Sequence, residues 1–335
     1  MQDSIWNDVY MRKNFQDTGK IPADGGWTQS PDIIPNGLGV MENPVSTLTG
    51  NWNGPDVGKQ TVLYQPNYFY VRGKNLAPSG TNAKFELYYC PSHLFLFPSL
   101  WKDNQMKTSA GQTYIQAAAE KSGDIMVPNQ PFTYIPNDTE HHCLISRVIT
   151  EQNPNPLPED GDIADMNALA TYIQNHPNMA WRNVELVQQD IPTFNRTFNV
   201  TTGTTQCQVM IFLECLNVKG SSVCFSCGTP IPSGPDAGKA ITLTKTIVTQ
   251  DSMSLGTQIF TLPANFSTTI TYSYFCNPPV QKGWQVNFHA VLLINPTDRL
   301  FRTSKPLHQF GVDRSLISNG LEYGIRLGSI FTVGK

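Results

Sequence analysis

Little in this chain is charged. Lys, Arg, Asp and Glu make up 15% of its 335 residues, and 23 basic against 26 acidic side chains leave a net charge of −3. That balance offers no electrostatic case for nucleic acid, which needs a basic face or stripe. The most basic stretch holds Arg299, Arg302 and Lys305 beside Asp298 and reads as a solvated edge. Also missing is any run of about 20 apolar residues, so no membrane-spanning helix is expected. The longest apolar stretches, such as Ala290-Val-Leu-Leu-Ile294, have the length of strands. Met1-Gln-Asp-Ser-Ile-Trp-Asn-Asp8 lacks the basic and apolar segments of a secretory signal. The expectation is a product that is cytoplasmic as synthesised, and that reaches any extracellular assembly by release or a dedicated route.

Catalytic signatures are equally scarce. No Walker loop, GxGxxG turn, GxSxG elbow or HExxH pair occurs, and no cofactor is expected. His93, His176, His289 and His308 are scattered. In His141-His142-Cys143 the alternation of a strand sends His142 and Cys143 to opposite faces, so Cys143 reads as buried and structural. A hydrolase assembled from scattered His and Asp is kept as an alternative. Seven cysteines, Cys90, Cys143, Cys207, Cys215, Cys224, Cys227 and Cys276, form no disulfide framework, and their odd number favours reduced thiols. Cys224-Phe-Ser-Cys227 has a metal-like spacing, yet zinc wants a second pair and there is none. No metal is expected; Cys224 and Cys227 are the candidates, to which Cys215 and Cys276 could be added only by chance convergence. Glu159-Asp-Gly-Asp-Ile-Ala-Asp165 offers four carboxylates without the alternation of an EF-hand. Acidic residues ahead of a helix suit its dipole, and that reading is preferred.

What the chain has instead is a rhythm. Runs of β-branched and aromatic residues recur between Pro-, Gly- and Asn-rich turns, as in Tyr68–Asn75, Lys84–Cys90, His142–Thr150 and Trp181–Val187. Such runs fit a pleated, half-buried surface. The expected fold is all-β: two β-sandwich, Ig-like domains with an extended N-terminal arm and small helical inserts. The arm covers 1–58, the first sandwich 59–190 and the second 191–335. Strands are expected near 61–65, 68–75, 84–90, 132–135, 142–150 and 181–188. In the second domain they fall near 194–201, 206–216, 222–227, 240–250, 257–262, 268–276, 284–294 and 322–333. Helical inserts are expected over Ala110–Lys121 and Ile163–Asn175, the latter with Asp162 as N-cap and Pro177 as its stop.

Several spaced motifs carry a resemblance. Ser30-Pro-Asp-Ile-Ile-Pro35, Asn67-Tyr-Phe-Tyr-Val-Arg-Gly-Lys-Asn75, Lys84-Phe-Glu-Leu-Tyr-Tyr89, His142-Cys-Leu-Ile-Ser-Arg-Val148 and Met179-Ala-Trp-Arg-Asn-Val184 follow one another. Over about residues 30–190 the order resembles bacterial Ig-like (CARDB-like) adhesion modules. Gly73 and Lys74 stand where that pattern has Val-Arg. The resemblance implies an interaction or scaffold fold with no catalytic residues to carry over. It also implies a component or accessory of a phage-tail-like or toxin assembly.

The resulting expectation is a non-enzymatic protein that acts through protein–protein contacts, as a homo-oligomer or with other subunits. Trp6, Tyr10, Phe15, Trp27 and Trp52 are the candidate contact residues, because an arm with so many aromatics must dock on something. It docks on its own domain or on another copy. The C-terminal strand could also pair across subunits by edge addition. A carbohydrate partner is the remaining alternative, with Trp52, Trp101, Trp181 and Trp284 as stacking platforms.

Overall fold

The computed structural model describes residues 4–91, 97–137, 142–184, 186–187, 193–277, 282–298, 300–301, 304–312 and 323–333. It is an all-β chain with short helices. No described helix is long and apolar enough to cross a membrane.

In the first half, four antiparallel strands run in the order Met179–Asn183, His142–Ile149, Thr81–Pro91, Ile115–Ala119. Alternation along Thr81–Pro91 divides its side chains between two cores. Phe85, Leu87 and Tyr89 point to one side, where they pack with Phe69, Val71, Leu144 and Val148. Tyr88 and Cys90 point to the other and pack with Cys143, Ile145 and Trp181. Burial on both faces explains why these strands read as nearly continuous apolar runs. Facing the first core are short antiparallel strands: Phe132–Tyr134, Asn67–Val71 and Ile33–Pro35 in one sheet, and Ile125–Met126, Gly73–Asn75 and Val9–Tyr10 in another.

The second half is a sandwich of two antiparallel sheets. One runs Thr193–Thr201, Ser267–Phe275, Ser222–Cys227, Thr242–Ile247. The other runs Ser252–Leu262, Cys207–Leu216, Gln285–Ile294, Tyr323–Val333, Lys305–Pro306. Phe198, Phe225, Tyr272 and Phe288 interlock between them. Among the described residues no strand pairing joins the two halves. Their apolar interiors nevertheless meet, since Trp27, Cys143 and Trp181 share one buried cluster with Phe194 and Val286. The expected boundary near 190 lies outside the described residues.

Two helical expectations are corrected. Ala110–Lys121 contains a strand, Ile115–Ala119, not a helix. Gly111, at φ +81, turns the chain, and Ile115, Ala117 and Ala119 then face inward at a period of two. The second insert begins later than expected, spanning Met166–Asn175. Asp165, not Asp162, caps it by accepting from the Ala168 amide at 2.8 Å.

Residues 4–58 form an arm with short strands and one small helix, Pro44–Gly50. The arm wraps its own fold. Thr28 and Ser30 exchange backbone hydrogen bonds with Asn183 and Trp181, which closes the edge of Met179–Asn183.

Candidate functional site

The Ser-Pro-Asp-Ile motif is the fastening of the arm. Asp32 is fully buried and accepts from Arg12 Nη2 at 2.5 Å and Arg72 Nε at 2.9 Å. The remaining donors are also consumed: Arg12 Nη1 reaches the Trp52 carbonyl at 2.7 Å and Arg72 Nη1 the Leu48 carbonyl at 2.7 Å. Ser30 Oγ donates to the Arg12 carbonyl at 2.6 Å and accepts from the Asp32 amide. The Arg12 guanidinium lies 3.6 Å from the centre of the Trp52 ring. With every nitrogen of both guanidinium groups engaged and the carboxylate shared between them, the cluster is read as structural. Lys13 is buried beside it, giving its ammonium protons to the carbonyls of His176 and Met179 at 3.0 and 2.5 Å. Burial pulls its pKa down to about 8, partly opposed by Asp17 and Asp32.

The predicted contact aromatics therefore separate. Tyr10, Trp27 and Trp52 are buried inside the chain's own fold. Trp6 is half-buried and Phe15 is exposed. The stacking-platform expectation is corrected outright, since Trp52, Trp101, Trp181 and Trp284 are all at most 7% exposed. Each fills the interior: Trp181 meets Trp27 edge-on at 5.4 Å, and Trp284 stacks on Tyr274 at 5.1 Å.

The metal candidates do not converge. Along Ser222–Cys227 the register with Ser267–Phe275 is unbroken, so Cys224 and Cys227 project to opposite faces. Cys227 Sγ accepts from the Ile241 amide at 3.1 Å. Among the described residues no cluster of His, Cys, Asp and Glu could hold a metal ion. The acidic segment is likewise dispersed. Glu159 pairs with Lys102 at 2.7 Å, Asp160 accepts from the Ser99 amide and hydroxyl, and Asp165 accepts from Thr205 Oγ1 as well as capping its helix. His141 and Arg299 lie outside the described residues.

The histidines are held singly. His142 lies tilted against Tyr89, with ring centres 4.6 Å apart. His289 is fully buried and meets Glu214 Oε2 at 3.1 Å, and Asn287 Nδ2 reaches the same oxygen at 3.1 Å. Burial lowers the His289 pKa to about 4, so at neutral pH the imidazole is uncharged. Its hydrogen bond to Glu214 in turn pulls that carboxyl down to about 2.

Among the described residues, two of the concave sites bear on function. One is a cleft of about 560 Å³ beneath the proline-rich loop 153–158. Trp6, Tyr172 and His176 supply its aromatic surface; Asn153, Asn175 and Asp162 supply its polar groups. The rings of Tyr172 and His176 are stacked at 3.8 Å, and His176 Nδ1 is fixed by the Tyr172 carbonyl at 2.6 Å. Burial lowers the His176 pKa and raises that of Tyr172 to about 12, so both rings are neutral around pH 7. Asn155 holds the loop in place at φ +46, its amide donating to the carbonyls of Val148 and Asn178. The second site is a cavity of about 350 Å³ where the arm meets the second half, bordered by Gln16, Trp27, Gln29, Lys305, Gln309 and Arg326 among others.

Sequence reasoning named Trp6, left Tyr172 as an unremarkable member of a helix and counted His176 among the scattered histidines. Their i, i+4 spacing was the available signal, but nothing in the sequence brings Trp6 to them across more than 160 positions.

No family model matches the chain, and no curated protein matches it. Among solved structures it is similar to red sea bream transglutaminase, at 8% identity over 83% of this chain and a TM-score of 0.22. The chain spans 30% of that enzyme's length. It is also similar to CBD12 from CALX1.2, at 11% identity, 83% of this chain, 97% of that one and a TM-score of 0.20. A third likeness is to CfaE, the adhesive subunit of CFA/I fimbria of enterotoxigenic Escherichia coli, at 8% identity, 98% and 93% coverage and a TM-score of 0.18. Likeness at this level distinguishes no family.

Proposed function

We propose that this chain is a non-catalytic binding protein whose cleft at Trp6, Tyr172 and His176 takes a neutral saccharide. One observation carries the reading: neutral aromatic rings and side-chain amides, with the carboxylate of Asp162 as an acceptor, line one preformed hollow of about 560 Å³. Sugars present apolar C–H faces and a dense set of hydroxyls. Aromatic faces match the former, and amides, which both donate and accept, match the latter. The volume lies within the range of small-molecule sites, roughly 300–1,000 Å³. A glycan array probed with the full chain tests this, followed by titration of any hit against Trp6→Ala and Tyr172→Ala. Weakening by about tenfold or more in both variants is expected, the loss of roughly one stacking contact. An array without a hit, or binding indifferent to both substitutions, overturns the reading.

A second reading, contact with another protein, is favoured by a separate observation. Leu38, Val40 and Val45 are 46%, 60% and 44% exposed within eight residues of sequence. Exposed apolar residues gathered in one segment, here the loop before the helix Pro44–Gly50 and its first turn, mark a contact surface more often than scattered ones do. The self-association expected of the arm moves to this loop, since most of the arm's large aromatics are spent internally. Sedimentation of the full chain and of a Val40→Glu variant separates the two readings, because only the protein-contact reading requires the mass to change.

A further inference from the structure

Arg326 is an anomaly. It stands on the strand Tyr323–Val333 with its guanidinium 5.4 Å from the centre of the Phe310 ring. Its Nε is buried and, among the described residues, has no hydrogen-bond partner. No ion pair ties the side chain to a described carboxylate, and the carboxylate it senses, Glu214, is already engaged by His289 and Asn287. Cations are almost never buried without a partner, because the lost hydration must be replaced.

A second buried donor borders the same cavity. Trp27 is 1% exposed, and its indole Nε1 also lacks an acceptor. The cavity that Arg326 and Trp27 share also includes Lys305, Gln16, Gln29 and Gln309, and among the described residues no Asp or Glu borders it. Its floor is firm on the arm side. Asn14 Nδ2 binds the carbonyls of Asp24 and Gly26 at 2.8 and 2.7 Å, and Asn14 Oδ1 accepts from the Gln16 amide. Two cations, an excess of donors and three amides describe the complement of one kind of molecule: an acceptor-rich anion that also carries hydroxyls.

We propose that this cavity is a binding site for a sugar acid, with the carboxylate held between Arg326 and Lys305 and the hydroxyls met by Gln16, Gln29 and Gln309. A guanidinium accepts a carboxylate in two parallel hydrogen bonds, which gives Arg326 the orienting role and Lys305 that of a mobile point charge. The volume of about 350 Å³ limits the occupant to a single sugar unit or little more. Phe310 offers its ring to the apolar face of the sugar. The site shares no residue with the cleft at Trp6 and stands whether or not that cleft binds a glycan.

Calorimetric titration of the full chain with glucuronate, glucose and sulfate, at one ionic strength, tests the assignment. Glucuronate binds; glucose and sulfate each bind at least about tenfold more weakly, since each satisfies half of the site. A neutral glycan held by the cleft does not compete with glucuronate. Arg326→Met keeps the stem and removes the charge, and it abolishes glucuronate binding. Lys305→Ala, at an exposed position, weakens binding several-fold and flattens its salt dependence. Should Arg326→Met fail to fold, Lys305→Ala and Gln309→Ala carry the test together. No heat with glucuronate at millimolar concentration overturns the proposal. So does sulfate binding as tightly as glucuronate, or binding that both surface variants leave unchanged.

Discussion

Arg72 donates from Nε to Asp32 Oδ1 at 2.9 Å, joining the link between the strands Asn67–Val71 and Gly73–Asn75 to a motif 40 residues earlier, with both side chains at 0% exposure. Arg12 binds the same carboxylate from a third segment. The cluster is thus one anion shared by two cations, and its value lies in completeness. Replacing Asp32 with Asn keeps the shape and strands two buried guanidinium groups. The expected loss of stability is about 3–5 kcal/mol, the usual cost of breaking a buried ion pair on one side. Urea denaturation of Asp32→Asn measures it; a change below 1 kcal/mol, roughly the worth of a surface pair, would show that the cluster is not the fastening described here.

The arm's other task is to cover an edge. Thr28, Gln29 and Ser30 run beside Met179–Asn183, whose backbone would otherwise face solvent. Open strand edges template further pairing. Deleting residues 1–36 is expected to raise the mass in solution through edge-to-edge association. An arm that bridges subunits predicts the opposite sign, a fall from oligomer to monomer. Light scattering on the full and shortened chains decides between them.

Much of the strand pattern was legible in sequence because alternation is local. In the second half, Thr193–Thr201, Cys207–Leu216, Ser222–Cys227 and Gln285–Ile294 fall within about one residue of expectation. Ala110–Lys121 misled because alanine and glutamine favour helix while their inward positions, 115, 117 and 119, belong to a strand edge that only pairing with Thr81–Phe85 creates. The fate of the tryptophans was less legible still. Trp101 sits in a stretch with no strong local pattern and Trp284 at the first position of an expected strand, and the burial of both depends on elements far away in sequence. The cavities were invisible for the same reason: Gln29 and Arg326 acquire a common purpose only when the two halves come together.

The His289–Glu214 pair makes stability depend on pH. In the unfolded chain a histidine titrates near 6.5 and a glutamate near 4.3. In the fold His289 is lowered to about 4 and Glu214 to about 2. Between pH 6.5 and 4 the unfolded chain therefore takes up a proton that folded His289 refuses. Stability falls as the pH falls through that window, by about 3 kcal/mol for the full histidine shift. Below about 4.5 Glu214 acts with the same sign, down to about pH 2. Urea midpoints at pH 7 and pH 5 should diverge for the native sequence and draw together in His289→Gln. Equal divergence in both would assign the acid sensitivity elsewhere.

Gly256 sets the last test. The pairing of Cys207–Leu216 with Ser252–Leu262 shifts register between Ile211 and Leu213, so an extra residue must be accommodated on the opposite strand. Gly256 stands at that bulge with φ +79, a left-handed conformation in which a side chain is strained. A Cβ there would also sit 2.6 Å from the Phe225 ring, which is itself buried between the two sheets. Both penalties act together in Gly256→Ala. Left-handed backbone costs a non-glycine residue about 1–2 kcal/mol, and displacing a packed aromatic adds roughly 1–3 kcal/mol. The bulge restores the inward alternation of Phe260 and Leu262, so its loss would turn both toward solvent. The variant is expected to unfold at distinctly lower urea than the native chain, whereas Gly123→Ala, at φ +89 with open space around it, incurs the backbone penalty alone. Equal losses in the two variants would mean that the Phe225 contact contributes nothing, and would remove the packing half of this account.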